Sequence, residues 1–151
     1  MRSQVPEIEA MPAASRNALL RRLRAVVPQG SVLEHADQLA PYECDGLAAH
    51  RQLPLVVVLP ETIEQVQEIL RLCHELQVPV VARGAGTGLS GGALPLANGV
   101  LLGLAKFTRI LDIDVHNRTA RVQPGVRNLA ISQAGEHLGR YYAPDTSSQL
   151  A

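Results

Sequence analysis

Val78-Pro79-Val80-Val81-Ala82-Arg83-Gly84-Ala85-Gly86-Thr87-Gly88-Leu89-Ser90-Gly91-Gly92 joins a short apolar run to a segment holding five of the chain's twelve glycines. The apolar part, Val78 to Ala82, reads as a buried strand. A second such run, Leu55-Val56-Val57-Val58-Leu59, lies upstream and is ended by Pro60. Its β-branched, uninterrupted character suits a strand buried on both faces. Between the two, Thr62 with Gln65 three residues later forms a capping-box pattern at a helix start. The spacing predicts a helix with Ile63, Val66, Ile69, Leu70, Cys73 and Leu76 on its apolar face. Leu55 to Ala82 is therefore a strand–helix–strand unit, with parallel strands and a right-handed crossover. The glycine loop leaves the carboxyl end of the second strand, where ligands of open α/β sheets bind.

A loop so rich in glycine lets backbone amides approach a ligand closely. Successive N–H groups in it can form a nest for phosphate oxygens. Two familiar phosphate motifs fit poorly. Gly86 and Gly91 have P-loop spacing, but Gly92 stands where that motif requires lysine. Gly86-Thr87-Gly88-Leu89-Ser90-Gly91 matches G-x-G-x-x-G, with Asp112 about twenty residues on. That fingerprint needs a helix opening within the loop, and Gly92-Ala93-Leu94-Pro95-Leu96-Ala97-Asn98-Gly99 does not build one. A helix-free amide nest for a diphosphate remains, with Thr87 and Ser90 adding hydroxyls and Arg83 the one nearby basic side chain. The bland alternative is a solvent-exposed turn that binds nothing. Five glycines at a parallel-strand end weigh against it.

The rest of the chain frames this unit. Residues 1–14 read as a leader, and Ser15 to Val27 as a helix presenting Leu19, Leu20, Leu23, Val26 and Val27. Glu34 to Leu53 reads as irregular. Gly99 to Leu104 is a strand. Ile110 to Val115 and Thr119 to Pro124 form a hairpin, with Asn117 suited to a left-handed turn position. Asn128 to Leu138 is a helix stopped by Gly139. The 151 residues are 46% hydrophobic and 19% charged, which suits one ordinary globular domain. Fourteen basic residues balance fourteen acidic ones, and this gives no electrostatic reason to expect nucleic acid. No apolar run is long enough to span a bilayer. Cys44 and Cys73 form no C-x-x-C pattern, and the five histidines show no metal-ligand spacing. No metal site and a reducing, cytoplasmic setting are the expectations.

Leu59-Pro60-Glu61-Thr62, the helix, Val78-Pro79-Val80 and the whole Arg83–Gly92 motif together resemble the vanillyl-alcohol-oxidase-type (PCMH-type) FAD-binding domain. Pro144-Asp145-Thr146-Ser147-Ser148 is similar to that family's second flavin-contacting segment, although the family usually shows proline where Thr146 stands. Within the family, the order and spacing most resemble the FAD-binding subunits of bacterial glycolate oxidases, with D-lactate dehydrogenases as near relatives. The resemblance runs from about Asp37 to Ala151.

The resemblance implies an α+β fold, a small parallel β/α lobe followed by the start of an antiparallel lobe. Residues 1–36 would be leader and helix, and 37–151 the N-terminal part of the FAD-binding domain. Arg83, Gly84, Ala85, Gly86, Thr87, Gly88 and Ser90 would hold the FAD diphosphate, mainly through backbone amides. Pro144, Asp145 and Ser148 would lie along the flavin. Some relatives carry, at the Thr87 position, a histidine bonded to the flavin, so the cofactor here would be non-covalent. The expected activity is oxidation of a small 2-hydroxy acid, glycolate first and D-lactate second. The expected setting is a multi-subunit complex with an iron–sulfur subunit, in the cytoplasm or peripheral to the inner membrane. No catalytic residue is assignable, because in the family the substrate domain follows the stretch matched here. The chain reads as an N-terminal fragment, and a catalytically silent flavin-binding module is the alternative.

Overall fold

The computed structural model describes residues 12–143. Helix α1 (Ala13–Val26) leads through Pro28 to a two-residue strand, β1 (Val32–Leu33), and a short helix, α2 (Ala36–Leu39), that runs into one 3₁₀ turn (Ala40–Tyr42). Strand β2 (Val56–Val58), helix α3 (Ile63–Glu75) and strand β3 (Val80–Arg83) follow. After the glycine loop come β4 (Val100–Gly103), the hairpin β5 (Ile110–Asp114) and β6 (Thr119–Val122), and α4 (Asn128–Gly135) with a terminal 3₁₀ turn.

The main sheet has the order β1-β2-β4-β3. β4 pairs in parallel with β2 (Val57 opposite Leu101) and with β3 (Val81 opposite Leu101), while β1 runs antiparallel on β2. The strand–helix–strand unit thus has parallel strands, as its sequence demands, but a third strand separates them. β2 and β4 are buried throughout. β3 takes an edge and is only half-buried, with Ala82 exposed, so its expected burial is corrected.

Alternating side chains divide the core between the two faces of the sheet. Val56, Val58, Val100 and Leu102 pack against Leu19, Leu20 and Leu23 of α1 and Ile69, Leu72 and Cys73 of α3. Val57 and Leu101 face Leu39 and Tyr42 on the other side. The buried stripe of α3 is narrower than the sequence reading: Ile63, Leu70 and Leu76, the last just past the helix end, are exposed and Leu72 is buried instead. At about 100° per residue, Ile63 and Leu70 lie roughly 100–120° around the helix from Ile69, outside the seam. The Thr62 hydroxyl caps α3 by accepting the Gln65 N–H at 3.3 Å, and Gln65 reaches back to the Glu61 N–H at 2.7 Å.

The stretch read as irregular contains β1, α2 and the 3₁₀ turn, elements too short for a periodic signal. In the hairpin the left-handed residue is Arg118 (φ +56°), not Asn117. Asn117 is instead held by Asp114, whose carboxylate accepts its backbone N–H at 2.9 Å and its amide at 2.6 Å. Leu111 is the extra residue of a bulge in β5, which turns it to solvent.

Candidate functional site

The glycine loop runs from the end of β3 to the start of β4 without any helix. Its only internal backbone bonds are turn closures, Leu94 N–H to Gly91 O at 3.1 Å and Gly99 N–H to Leu96 O at 2.9 Å. Among the described residues, no backbone N–H from Ala85 to Gly92 donates a hydrogen bond. Among the described residues, nothing stands within 4 Å of the Cβ positions of Gly88, Gly91 and Gly92. Among those residues the loop thus offers a series of amide donors without a protein partner, the property a nest for an anion needs.

A cleft of about 430 Å³ adjoins the loop, within the usual range for small-molecule sites. It is lined by Gly84 and Ala85 after β3, Ala105 and Thr108 after β4, and Pro124 to Arg127 with Ala130. It lies past the carboxyl ends of β3 and β4, the position the topology favours. Arg127, the N-cap residue of α4, is among the residues that line it. Sequence reading missed Arg127, because nothing local sets it apart from the chain's other arginines.

Arg83 faces the opposite way. Its Nη1 donates to the Cys44 carbonyl at 2.6 Å, and its guanidinium carbon sits 5.6 Å from the centre of the Tyr42 ring. Gly86, at φ +75°, lies directly over this guanidinium, so that a side chain there would overlap it. Gly46 approaches the loop as closely: a Cβ on it would lie 2.6 Å from the Thr87 carbonyl oxygen and 2.9 Å from that of Gly88. Segment 42–46 and the loop are thus fitted backbone to backbone. Between them, Asp45 is buried; its Oδ1 accepts the Leu47 N–H at 2.9 Å, and its Oδ2 has no partner among the described residues.

The structure gathers Arg83, Gly84, Ala85, Gly86, Thr87, Gly88 and Ser90 in one loop, with Gly84 and Ala85 reaching the cleft and Thr87 and Ser90 exposed. Pro144, Asp145 and Ser148 lie outside the described residues. Cys73 has no part in the site: burial pushes its thiol up to about 11.

A family model described as FAD binding domain matches residues 54–150, which include every residue of the loop. The chain belongs to this FAD-binding family. The glycolate oxidase subunit GlcD of Escherichia coli K12 is 60% identical over 142 residues, covering 94% of this chain and 28% of that protein. The corresponding GlcD subunit of Bacillus subtilis 168 is 40% identical over 107 residues, covering 71% of this chain and 23% of that protein. Among solved structures, p-cresol methylhydroxylase superposes with a TM-score of 0.75 at 28% identity, over 85% of this chain and 26% of that one. The 4-ethylphenol oxidase of Gulosibacter chungangensis gives 0.78 at 24% identity, over 87% and 26%; it shows the shared fold. The chain spans 28% of the length of the E. coli relative. The α+β architecture of the FAD-binding family, with a parallel sheet and a separate antiparallel hairpin, is the one observed here.

Proposed function

We propose that the backbone amides from Gly84 to Ser90 hold the diphosphate of a non-covalently bound FAD, with the hydroxyls of Thr87 and Ser90 as further donors. The row of amides from Ala85 to Ser90 that donate to no other described residue supports this most directly. Each bond from an amide to a charged oxygen contributes about 1.5–3 kcal/mol, so four or five such bonds can hold a diphosphate with little help from side chains. Arg127 supplies the cationic wall of the adjoining cleft. Pro144, Asp145 and Ser148 stay assigned to the flavin side on the family motif alone. Residues 37–151 form the FAD-binding unit, with α1 packed on its sheet and β1 paired to the sheet's edge.

The activity we infer is oxidation of glycolate to glyoxylate by a protein containing this chain, carried by the 60% identity to the E. coli glycolate oxidase subunit. When bound, the flavin accepts the hydride from the alcohol carbon. This chain's own residues bind and orient it. D-lactate is the second substrate, favoured by a D-lactate dehydrogenase of Anaerostipes hadrus at 37% identity over 98 residues. That the relatives are named as subunits supports assembly with others; an iron–sulfur subunit is the partner we propose for removing electrons. None of the described helices is long and apolar enough to cross a membrane. A cytoplasmic location, with peripheral membrane contact through partners, is part of the same proposal.

Two measurements test it. The 151-residue chain should retain FAD, but not riboflavin, on gel filtration, since riboflavin lacks the diphosphate. A chimaera in which this chain replaces the matching 142 residues of the E. coli relative should hold FAD and lose its flavin absorbance on adding glycolate. Equal retention of riboflavin refutes the amide nest, and a chimaera that holds FAD but is not bleached by glycolate refutes the role in glycolate oxidation.

A further inference from the structure

We infer that Arg83 acts on the cofactor loop as a brace and not as a counter-charge, so that segment 42–46, forty residues upstream, positions the FAD site. The inference rests on the flavin reading for its functional consequence, but its structural part stands alone. As the basic residue beside a diphosphate-binding motif, Arg83 invites assignment to the phosphates. Its geometry argues otherwise. The guanidinium already donates to the Cys44 carbonyl at 2.6 Å and stacks on Tyr42. It lies on the side of Gly86 that a Cβ would fill. A guanidinium is planar and delocalised, which suits it to a carbonyl and an aromatic face at once; an ammonium cannot reproduce both contacts. Gly46 completes the brace from the other direction, since its missing side chain admits the Thr87 and Gly88 carbonyls. Tyr42 packs in turn against the core cluster of Leu39, Val57 and Leu101. Core, ring, guanidinium and loop form one contiguous stack. The Gly84–Gly92 backbone has few bonds of its own to fix its shape, so this stack fixes it.

Brace and counter-charge predict different results for the same variants. In the ligand-free 151-residue chain, Arg83→Ala should drop amide order parameters across Gly84–Gly92 from about 0.85 to below about 0.6. Tyr42→Leu should lower them in part, and Tyr42→Phe, which keeps the ring, should leave them unchanged. In FAD titrations, Arg83→Ala should weaken binding at least tenfold, Arg83→Lys should not rescue it, and the deficit should be the same at 50 and 500 mM salt. Arg127→Gln is the comparison, because a charge facing the cleft loses its effect as salt rises. Unchanged order parameters in both Arg83→Ala and Tyr42→Leu would overturn the brace. So would rescue by lysine, or a deficit that vanishes at high salt. A wild-type chain that binds no FAD would sink the flavin reading, while the order parameters would still decide the brace.

Discussion

Gly86→Val puts the geometry of the loop under the most direct strain. Gly86 sits at φ +75°, a region that disfavours L-residues by roughly 1–2 kcal/mol and a β-branched one most of all. The new side chain would also occupy the place of the Arg83 guanidinium, whose Nε lies 2.6 Å from the Cβ position. Arg83 would have to leave the Cys44 carbonyl and the Tyr42 ring. The hydrogen bond from a charged donor is worth about 1.5–3 kcal/mol, and the ring contact about 0.5–1 kcal/mol. The loop is exposed, so it can relax to another shape and recover much of this in the unliganded chain. The relaxed shape no longer converges its amides, and the penalty then reappears in binding. About 3 kcal/mol corresponds to roughly two decades in affinity. FAD titration by flavin fluorescence, with urea unfolding of the same samples, measures both shares. The variant should lose a hundredfold in affinity, with any smaller loss matched by a lower unfolding midpoint. An unchanged midpoint together with an affinity within twofold of wild type would refute the loop assignment and the argument from positive φ alike.

Three further outcomes follow from other parts of the molecule. Arg127→Gln should weaken FAD binding a few-fold at low salt and not at all at 500 mM; a salt-independent deficit would deny it a charge role at the cleft. Thr62→Ala should destabilise the chain by about 1 kcal/mol in urea through loss of the α3 cap. The Glu64 carboxyl, held below its ordinary value by its own backbone hydrogen bond and then by the Thr62 hydroxyl, should titrate higher in that variant, as followed by carboxyl NMR shifts. Burial raises the Cys73 thiol from 9.0 to about 11, so above pH 9 the unfolded chain releases a proton that the folded chain keeps. The stability from this group is complete below pH 9 and is lost as pH rises toward 11. Urea midpoints at pH 8 and 10.5 should fall less for Cys73→Ala than for wild type, and identical falls would show that the thiol stays unperturbed.

The parts of this fold legible in the sequence are those encoded within one turn or one pleat. Val56 to Val58 announces a doubly buried strand, Thr62 and Gln65 mark the start of α3, and Gly139 ends the last helical turn in the left-handed conformation its residue type favours. The glycine loop declares both its freedom and, through Pro95 and Asn98, its lack of a helix. The brace was not legible: Tyr42, Cys44 and Gly46 meet Arg83 and Thr87 only because α2 folds across the sheet, and no local pattern records a contact forty residues long. The left-handed turn position was misplaced for a related reason. Asn117 is the better residue for it on intrinsic grounds, but the Asp114 carboxylate captures its amide and pushes the strain one residue on, to Arg118.

The position of β4 was within reach of a finer reading. Val100-Leu101-Leu102-Gly103 carries no charge and can be covered on both faces. Val80-Val81-Ala82-Arg83 ends in a guanidinium and follows Pro79, a residue that sheets confine to edges and strand starts. A parallel sheet buries its middle strands on both faces and leaves its edges part-exposed, so the uncharged run belongs inside and the arginine-bearing run outside. The brace uses a face of the sheet and not this edge. Arg83 stands two residues beyond Val81 and so shares its face, the face on which Tyr42 packs, and from there its guanidinium meets the Cys44 carbonyl.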